Sequence, residues 1–251
     1  MTTSIKWMNA LCLFVLIALA QTAYAADSSA ARAIEGSTPE TTQLSVIGAG
    51  SLGSAVGAAW VESGYKVMLS SRHPDELAPM AKRLGPNARV GTPKQAAQYG
   101  QVVLLAVPFT AIPQIAHDFD DALQGKIVLD ATNSWGVEDS PIGQQAVKAG
   151  DGVVSQRYFK GVRLVRAFSA VDASIIRGVT AGRHEPAGIP IASNDKAAMQ
   201  VAAELVRAAG CVPVIVGDLK DGRRFEHGQP GFRANTTAPE LRRILDLPAQ
   251  D

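Results

Sequence analysis

The chain of 251 residues contains 24 Lys and Arg, 23 Asp and Glu, and 47% hydrophobic residues. This length and composition suit one large α/β domain, or one domain with a smaller appendage. The formal charge is only +1 and no basic stripe interleaved with aromatic residues is present, which argues against a nucleic-acid partner.

The amino terminus has the pattern of a secretory signal peptide. Lys6 supplies a positive start, residues 11–20 are apolar, and Ala23-Tyr24-Ala25 fits an A-x-A cleavage site. The sequence therefore predicts a signal peptide over 1–25 and a flexible lead-in over 26–42. It also predicts an exported, periplasmic protein without stable membrane association after cleavage. An uncleaved anchor, or a mis-assigned start and a cytoplasmic chain, are the alternatives.

From residue 43 onward, apolar strand-like runs alternate with helical stretches. The predicted strands lie at 43–48, 66–70, 88–91, 101–106, 126–130, 163–167, 189–193 and 212–216. The predicted helices lie at 51–63, 74–84, 93–98, 112–123, 195–209 and 238–245. This alternation predicts an α/β fold with a Rossmann-type, doubly wound, mostly parallel sheet. We expect a Rossmann domain over 43–165 and a smaller carboxy-terminal α/β segment over 166–251.

A glycine-rich string follows the first predicted strand and begins the first predicted helix: Gly48-Ala49-Gly50-Ser51-Leu52-Gly53. In this context Gly48 permits a tight turn, Gly50 lets the backbone approach a pyrophosphate, and Gly53 lets the helix pack close to the strand. The amino-terminal N–H groups of the helix then point at the phosphates. The string predicts a dinucleotide-binding turn, and an ordinary glycine turn in an α/β protein is the alternative.

The end of the second predicted strand specifies which dinucleotide fits. An NAD site carries an acidic residue there, whereas this chain has Ser71 and Arg72. A hydroxyl and a guanidinium bind a 2′-phosphate that a carboxylate would repel. The sequence therefore predicts an NADP(H) site in the domain over 43–165.

Further candidate cofactor contacts follow the fourth and fifth strands. Ala106-Val107-Pro108 should lie along the adenosine or pyrophosphate side of the cofactor. Asn133 is the polar candidate beside the nicotinamide, since its amide can both donate and accept hydrogen bonds. An Asx turn that caps the loop is the alternative role for Asn133.

With these elements placed, the chain resembles the coenzyme F420-dependent (deazaflavin) NADP oxidoreductases over about 43 to 230. The resemblance rests on the glycine string, Ser70-Ser71-Arg72 and several further strings: Leu105-Ala106-Val107-Pro108-Phe109, Leu129-Asp130-Ala131-Thr132-Asn133, Val165-Arg166-Ala167-Phe168-Ser169, Gly188-Ile189-Pro190-Ile191-Ala192-Ser193-Asn194-Asp195, Gly217-Asp218-Leu219 and Arg223-Arg224-Phe225-Glu226. It implies a reductase with deazaflavin or flavin as second redox partner, and it adds Ala167 to the cofactor contacts. The family's Phe-Asn-Thr pattern reads Phe168-Ser169-Ala170 here.

The expected activity is hydride transfer between NADPH and a second redox carrier or a small-molecule acceptor. Such transfer needs positioning more than acid–base catalysis, so no catalytic residue is assigned. One alternative is a non-catalytic NADP-binding sensor or scaffold. Another is reduction of a small imine or carbonyl, with His227 or Tyr158 as proton donor. A homodimer is left open.

The histidines and cysteines do not suggest a metal site. His73, His117, His184 and His227 lack paired ligand spacing. Cys211 is the only cysteine of the expected mature chain, and it opens an apolar strand. A buried structural thiol is therefore expected there.

Overall fold

A mostly parallel sheet organises the described part of the chain. In the computed structural model, residue 39 and residues 41–249 are described, so the predicted signal peptide (1–25) and most of the lead-in lie outside them. The strands are β1 (Gln43–Ile47), β2 (Lys66–Ser70), β3 (Ala88–Gly91), β4 (Val102–Leu105), β5 (Ile127–Asp130), β6 (Arg163–Arg166), β7 (Gly188–Ala192) and β8 (Val212–Gly217).

The strand order is β3-β2-β1-β4-β5-β6-β7-β8. Strands β1 to β6 are parallel, β7 runs antiparallel to β6, and β8 is parallel to β7. The order of the first six strands is that of a Rossmann fold, so the predicted fold class is confirmed. Strands β7 and β8 extend the same sheet.

Helices connect the strands in the described residues. They are α1 (Ser51–Glu62), α2 (Ala78–Leu84), α3 (Pro93–Tyr99), α4 (Ile112–Asp118), α5 (Asp120–Leu123), α6 (Pro141–Ala149), α7 (Asp151–Tyr158), α8 (Ala173–Thr180), α9 (Lys196–Ala208) and α10 (Ala238–Ile244). Short 3₁₀ helices lie at Pro74–Leu77, Phe109–Ala111 and Leu219–Phe225. None of these helices is long and apolar enough to cross a membrane.

The structure corrects two predicted helices. The segment predicted as one helix over 74–84 is a 3₁₀ turn followed by α2, because Pro79 in the first turn of α2 cannot continue a preceding α-helix. The segment predicted over 112–123 divides at Phe119, whose φ and ψ of −122° and 17° are not helical. Helices α6, α7 and α8 were not predicted, whereas the predicted strand limits agree within one residue.

Trp60 joins the two parts of the chain that the sequence divides near residue 165. It is fully buried, its Nε1 donates to the Leu205 carbonyl of α9 at 2.8 Å, and its ring meets Phe168 edge-on at 6.2 Å. A buried indole N–H needs such a partner. This contact fixes α1, which carries the glycine turn, against α9.

Candidate functional site

The glycine turn lies where β1 passes into α1. Gly48 has a φ of +98°, and its N–H and that of Ala49 donate to the Ser70 carbonyl at 3.2 and 2.7 Å. A Cβ at Gly53 would press against the Gly48 carbonyl and lie 2.8 Å from Val46 Cγ1. Gly48 and Gly53 are therefore required by the backbone conformation and by the close packing of α1 on β1.

Gly50 differs from these two glycines. It is the N-cap of α1, its φ is −73°, and a Cβ built there would meet no heavy atom within 4 Å. Among the described glycines, only Gly50 combines open space with a φ outside the left-handed region. The fold alone thus does not require glycine at this position. The space next to an uncapped helix N-terminus is large enough for an anionic group to approach the backbone, as the diphosphate does in dinucleotide-binding turns of this kind.

Ser71 and Arg72 follow the end of β2, the neighbour of β1. Ser71 Oγ accepts a hydrogen bond from the His73 N–H at 3.0 Å, and its own proton remains available for donation. Arg72 is exposed, and no carboxylate within the described residues pairs with its guanidinium. Both side chains can therefore contact a phosphate at this edge.

A cavity of about 300 Å³ lies beside the glycine turn. The predicted site residues that line it are Leu52, Ala106, Val107, Pro108 and Asn133. The other lining residues are Phe109, Ala131, Thr132, Trp135 and Val137. The strand order reverses between β1 and β4, and ligands of open α/β sheets bind at such a switch point.

A larger cavity, of about 670 Å³, lies elsewhere, between β8 and α10. Its lining includes Val212, Pro239 and Arg242, and no predicted site residue contributes to it. Size alone would favour it, but the smaller cavity lies at the switch point and beside the glycine turn. We therefore take the smaller one as the candidate functional site.

Eight predicted contact residues do not line the candidate cavity: Gly48, Ala49, Gly50, Ser51, Gly53, Ser71, Arg72 and Ala167. The side chains of Ala49 and Ala167 are buried. Ala49 is 7% exposed, and its N–H is taken by the Ser70 carbonyl. Ala167 is fully buried, and its N–H donates to the Asp130 carbonyl at 3.3 Å. Both residues therefore shape the backbone near the site.

Sequence reasoning missed a buried charged network below the cavity. Arg166 is completely buried, and its Nη1 donates to Asp130 Oδ2 at 2.8 Å. Its Nη2 lies 3.5 Å from Asp151 Oδ2, and Glu226 Oε1 accepts the Asp151 N–H at 2.7 Å. The sequence held one signal for this network, an arginine in the predicted strand 163–167. A charged side chain on a buried strand needs a buried partner of opposite charge.

The network changes the proton affinity of Arg166 and Glu226. Burial alone would lower the pKa of Arg166, but the charges of Asp130, Asp151 and Glu226 hold this pKa above its usual value. Burial, together with the charge of Asp151, raises the pKa of Glu226 above its usual value, and the nearby Arg166 and Arg223 offset this only in part. Arg166 therefore stays charged between the carboxyl groups.

The network also holds the loop that forms one wall of the cavity. The N–H and the Oγ of Thr132 donate to Asp130 Oδ1 at 3.0 and 2.6 Å. The N–H of Ser134 donates to Asp151 Oδ2 at 3.2 Å. Asn133 and Trp135, which line the cavity, are thereby fixed by buried acceptors on both sides of the loop.

An aromatic and cationic cluster forms the outer side of the same loop. Trp135 is 51% exposed and stacks on His227, with ring centroids 5.5 Å apart. Phe232 meets both rings edge-on, and the Arg233 guanidinium lies 5.4 Å from the centre of the Trp135 ring. Arg233 is itself held by Asp172 at 2.6 Å. The cluster presents a large, partly open aromatic surface at the cavity.

The remaining histidines and the cysteine lie outside this site. Within the described residues, no three His, Cys, Asp or Glu side chains gather as metal ligands. His73, His117 and His184 are exposed. Cys211 is buried as expected, and burial raises the pKa of its thiol to about 11. It is therefore not a reactive thiolate at neutral pH.

Known proteins share this architecture. Residues 43–134 match the family model "NADP oxidoreductase coenzyme F420-dependent". The F420-dependent NADP reductase of Methanothermobacter thermautotrophicus is 27% identical over 232 residues, covering 83% of this chain and 97% of that protein. A solved structure of a hypothetical protein from Sinorhizobium meliloti superposes with a TM-score of 0.64 at 26% identity, covering 77% of this chain and 94% of that one.

A longer relative is the metalloreductase STEAP3 of Rattus norvegicus, which is 24% identical over 191 residues. The match covers 74% of this chain but only 36% of the metalloreductase, so the chain corresponds to about a third of that protein. The model match covers the glycine turn, Ser71-Arg72 and Asn133. Residues 43–134 are therefore similar to the NADP oxidoreductase, coenzyme F420-dependent family, and the chain is similar over a wider range to an F420-dependent NADP reductase.

Proposed function

We propose that this chain is an NADP(H)-dependent oxidoreductase that transfers a hydride between NADPH and a second redox carrier. The observation that carries the proposal is the open position at Gly50, next to the uncapped start of α1, together with Arg72 after β2, which pairs with no carboxylate of the described residues. The first fits a diphosphate, and the second fits a 2′-phosphate. The family relatives support the same cofactor.

The chain's own residues would hold and orient the two reactants. Bound NADPH supplies a hydride, that is, a proton with two electrons. Asn133 lies in the cavity wall and can hydrogen-bond a carboxamide, which would fix one ring face toward the acceptor. Pro108, whose ring nitrogen carries no hydrogen, gives the opposite wall a surface without a competing donor.

We propose a planar ring system, a deazaflavin or a flavin, as the acceptor. Trp135 lines the cavity and leaves half of its surface exposed, so a flat ring can pack against it. A hydride acceptor of this kind needs no proton donor from the protein in the transfer step. The buried network around Arg166 keeps the Trp135 loop in place for this contact.

A second candidate function is reduction of a small imine or carbonyl compound, which requires a proton donor. His227 favours it, since the imidazole stacks on Trp135 and lies 3.6 Å from Glu138. Tyr158, the other predicted donor, does not line the cavity, and its Oη is 3.3 Å from Gln145 Nε2. His227 does not line the cavity either, but its ring stacks on Trp135, which does, so this contact favours His227 over Tyr158 as the donor.

An acceptor panel tests the proposal and separates it from the alternatives. Oxidation of NADPH is followed at equal concentrations of a deazaflavin, flavins, quinones, ferric chelates and a cyclic imine. We expect turnover with the deazaflavin or flavin that survives in His227→Gln. Turnover of the imine alone, abolished in His227→Gln, supports the second candidate. Tight NADPH binding with no turnover on any acceptor contradicts both and supports a sensor or scaffold.

Export and oligomeric state stay predictions. The charge, apolar run and A-x-A site before residue 26 support export, and they lie outside the described residues. Fractionation with amino-terminal sequencing tests this, since an exported chain begins at Ala26 and an intact cytoplasmic chain contradicts it. Light scattering of the purified chain decides between a monomer and a homodimer.

A further inference from the structure

We infer that Arg177, which contacts the glycine turn at Ser51, binds the diphosphate of NADP(H). This inference rests on the proposed cofactor site. Arg177 belongs to α8, which packs against α1. Its Nη1 donates to the Ser51 carbonyl at 3.2 Å and lies 3.5 Å from Ser51 Oγ. Ser51 is the first residue of α1 and directly follows Gly50. The guanidinium therefore lies at the first residue of α1, one position along the chain from the open space at Gly50.

The charge of Arg177 is unfavourably placed unless an anion joins it. The N-terminus of a helix carries a partial positive charge, so a cation beside it is repelled. The first turn of α1 has no acidic residue, and its N-cap has no side-chain hydrogen bond. Within the described residues, no carboxylate lies within 4 Å of the Arg177 guanidinium. A bound diphosphate would supply the missing negative charge.

The Arg177 guanidinium keeps N–H donors that can bind this anion. Both hydrogen bonds to Ser51 use Nη1, whereas the guanidinium carries five N–H donors in a planar fork. The side chain is exposed, so the remaining donors are accessible. The contact with Ser51 fixes the side chain before the ligand arrives, which reduces the entropy lost on binding. Arg177 is thus a pre-positioned second clamp on the diphosphate.

Arg177 and Arg72 should have separable effects. The diphosphate is common to NADP and NAD, whereas the 2′-phosphate occurs only in NADP. Arg177 therefore contributes affinity for both dinucleotides, and Arg72 contributes the preference between them. Binding of a ligand that carries only the 2′-phosphate, adenosine 2′-monophosphate, should depend on Arg72 and not on Arg177.

The test is calorimetric titration of the full chain with NADP⁺, NAD⁺ and adenosine 2′-monophosphate. Arg177→Gln should raise the Kd of NADP⁺ and of NAD⁺ by the same factor, about tenfold to a hundredfold, and leave the Kd of the monophosphate unchanged. Arg177→Lys, which keeps the charge, should recover part of the loss. The matched control Arg72→Gln should raise the Kd of NADP⁺ and of the monophosphate and leave the Kd of NAD⁺ unchanged. Melting temperatures without ligand should agree among the variants.

The titrations distinguish a failure of the Arg177 role from a failure of the proposed NADP(H) site. Wild-type binding that Arg177→Gln leaves unchanged, or a loss confined to NADP⁺, overturns the role of Arg177 and leaves the cofactor site standing. No binding of any of the three ligands by the folded wild-type chain overturns the proposed cofactor as well. An equal loss for both dinucleotides with unchanged melting temperature supports the diphosphate clamp.

Discussion

Alanine substitutions at Gly50 and Gly53 are expected to separate the space for the cofactor from the packing of the fold. At Gly50 the backbone is extended, with a φ of −73°, and the new methyl group meets no protein atom within 4 Å. Gly50→Ala should therefore leave the stability of the free protein unchanged, or raise it by about 0.4–1 kcal/mol. At Gly53 the methyl group would meet the Gly48 carbonyl and Val46. Gly53→Ala should cost about 1–3 kcal/mol.

Gly50→Ala, which should leave the stability of the free protein intact, should instead reduce the rise in Tm that NADPH binding causes. A ligand present at about 100 times its Kd stabilises the folded state by about 2.7 kcal/mol, which raises the Tm of a chain of this size by roughly 5–10 °C. The methyl group of Gly50→Ala would occupy the space beside the diphosphate. This variant should therefore keep its Tm without ligand and lose most of the rise with NADPH.

The assay is thermal unfolding of wild type and both variants, each with and without NADPH. The reasoning is refuted if Gly50→Ala shows the full wild-type rise with NADPH, because the open space would then not be the cofactor's place. A large loss of Tm in Gly50→Ala without ligand would also contradict it, since the structure shows no atom for the methyl group to displace.

Two further predictions concern the walls of the cavity. The raised pKa of Glu226 means that its contribution to stability is complete below its ordinary pKa and is lost as the pH rises through the folded-state value. Urea midpoints from pH 4 to 8 should thus move in favour of Glu226→Gln as pH rises, and a pH-independent difference would contradict this. Trp135→Ala should raise the KM for a planar acceptor roughly twofold to tenfold, with Trp135→Phe close to wild type and the Kd of NADPH unchanged. If Trp135→Ala weakened NADPH binding as much as it raised the KM for the acceptor, the Trp135 ring would pack on the cofactor and not on the acceptor.

The fold and the position of the glycine turn could be predicted because their signals are local. Apolar runs of strand length, the glycine string and Ser71-Arg72 are each contiguous in the sequence. Together they indicate the parallel sheet, the turn and the cofactor edge, and the structure confirms the fold. The same logic failed at Pro79, where a local breaker inside an apparent helix moved the start of α2.

The rest of the candidate site depends on contacts that are distant in sequence. Arg166 meets Asp130 and Glu226 only after β5, β6 and the carboxy-terminal segment have assembled. Arg177 reaches Ser51 across 126 positions of the chain. Periodicity carries no information on such pairs, because it reports which face of an element is buried and not which partner faces it.

The most direct measurement of the central claim is the comparison of NADPH and NADH binding by the full chain, in wild type and in Arg72→Ala. We predict a lower Kd for NADPH than for NADH in the wild type. We also predict that Arg72→Ala loses about 1–3 kcal/mol of NADPH binding, the size of a charge-assisted hydrogen bond, while NADH binding barely changes. A wild-type chain that binds NADH as tightly as NADPH, or better, would contradict the claim.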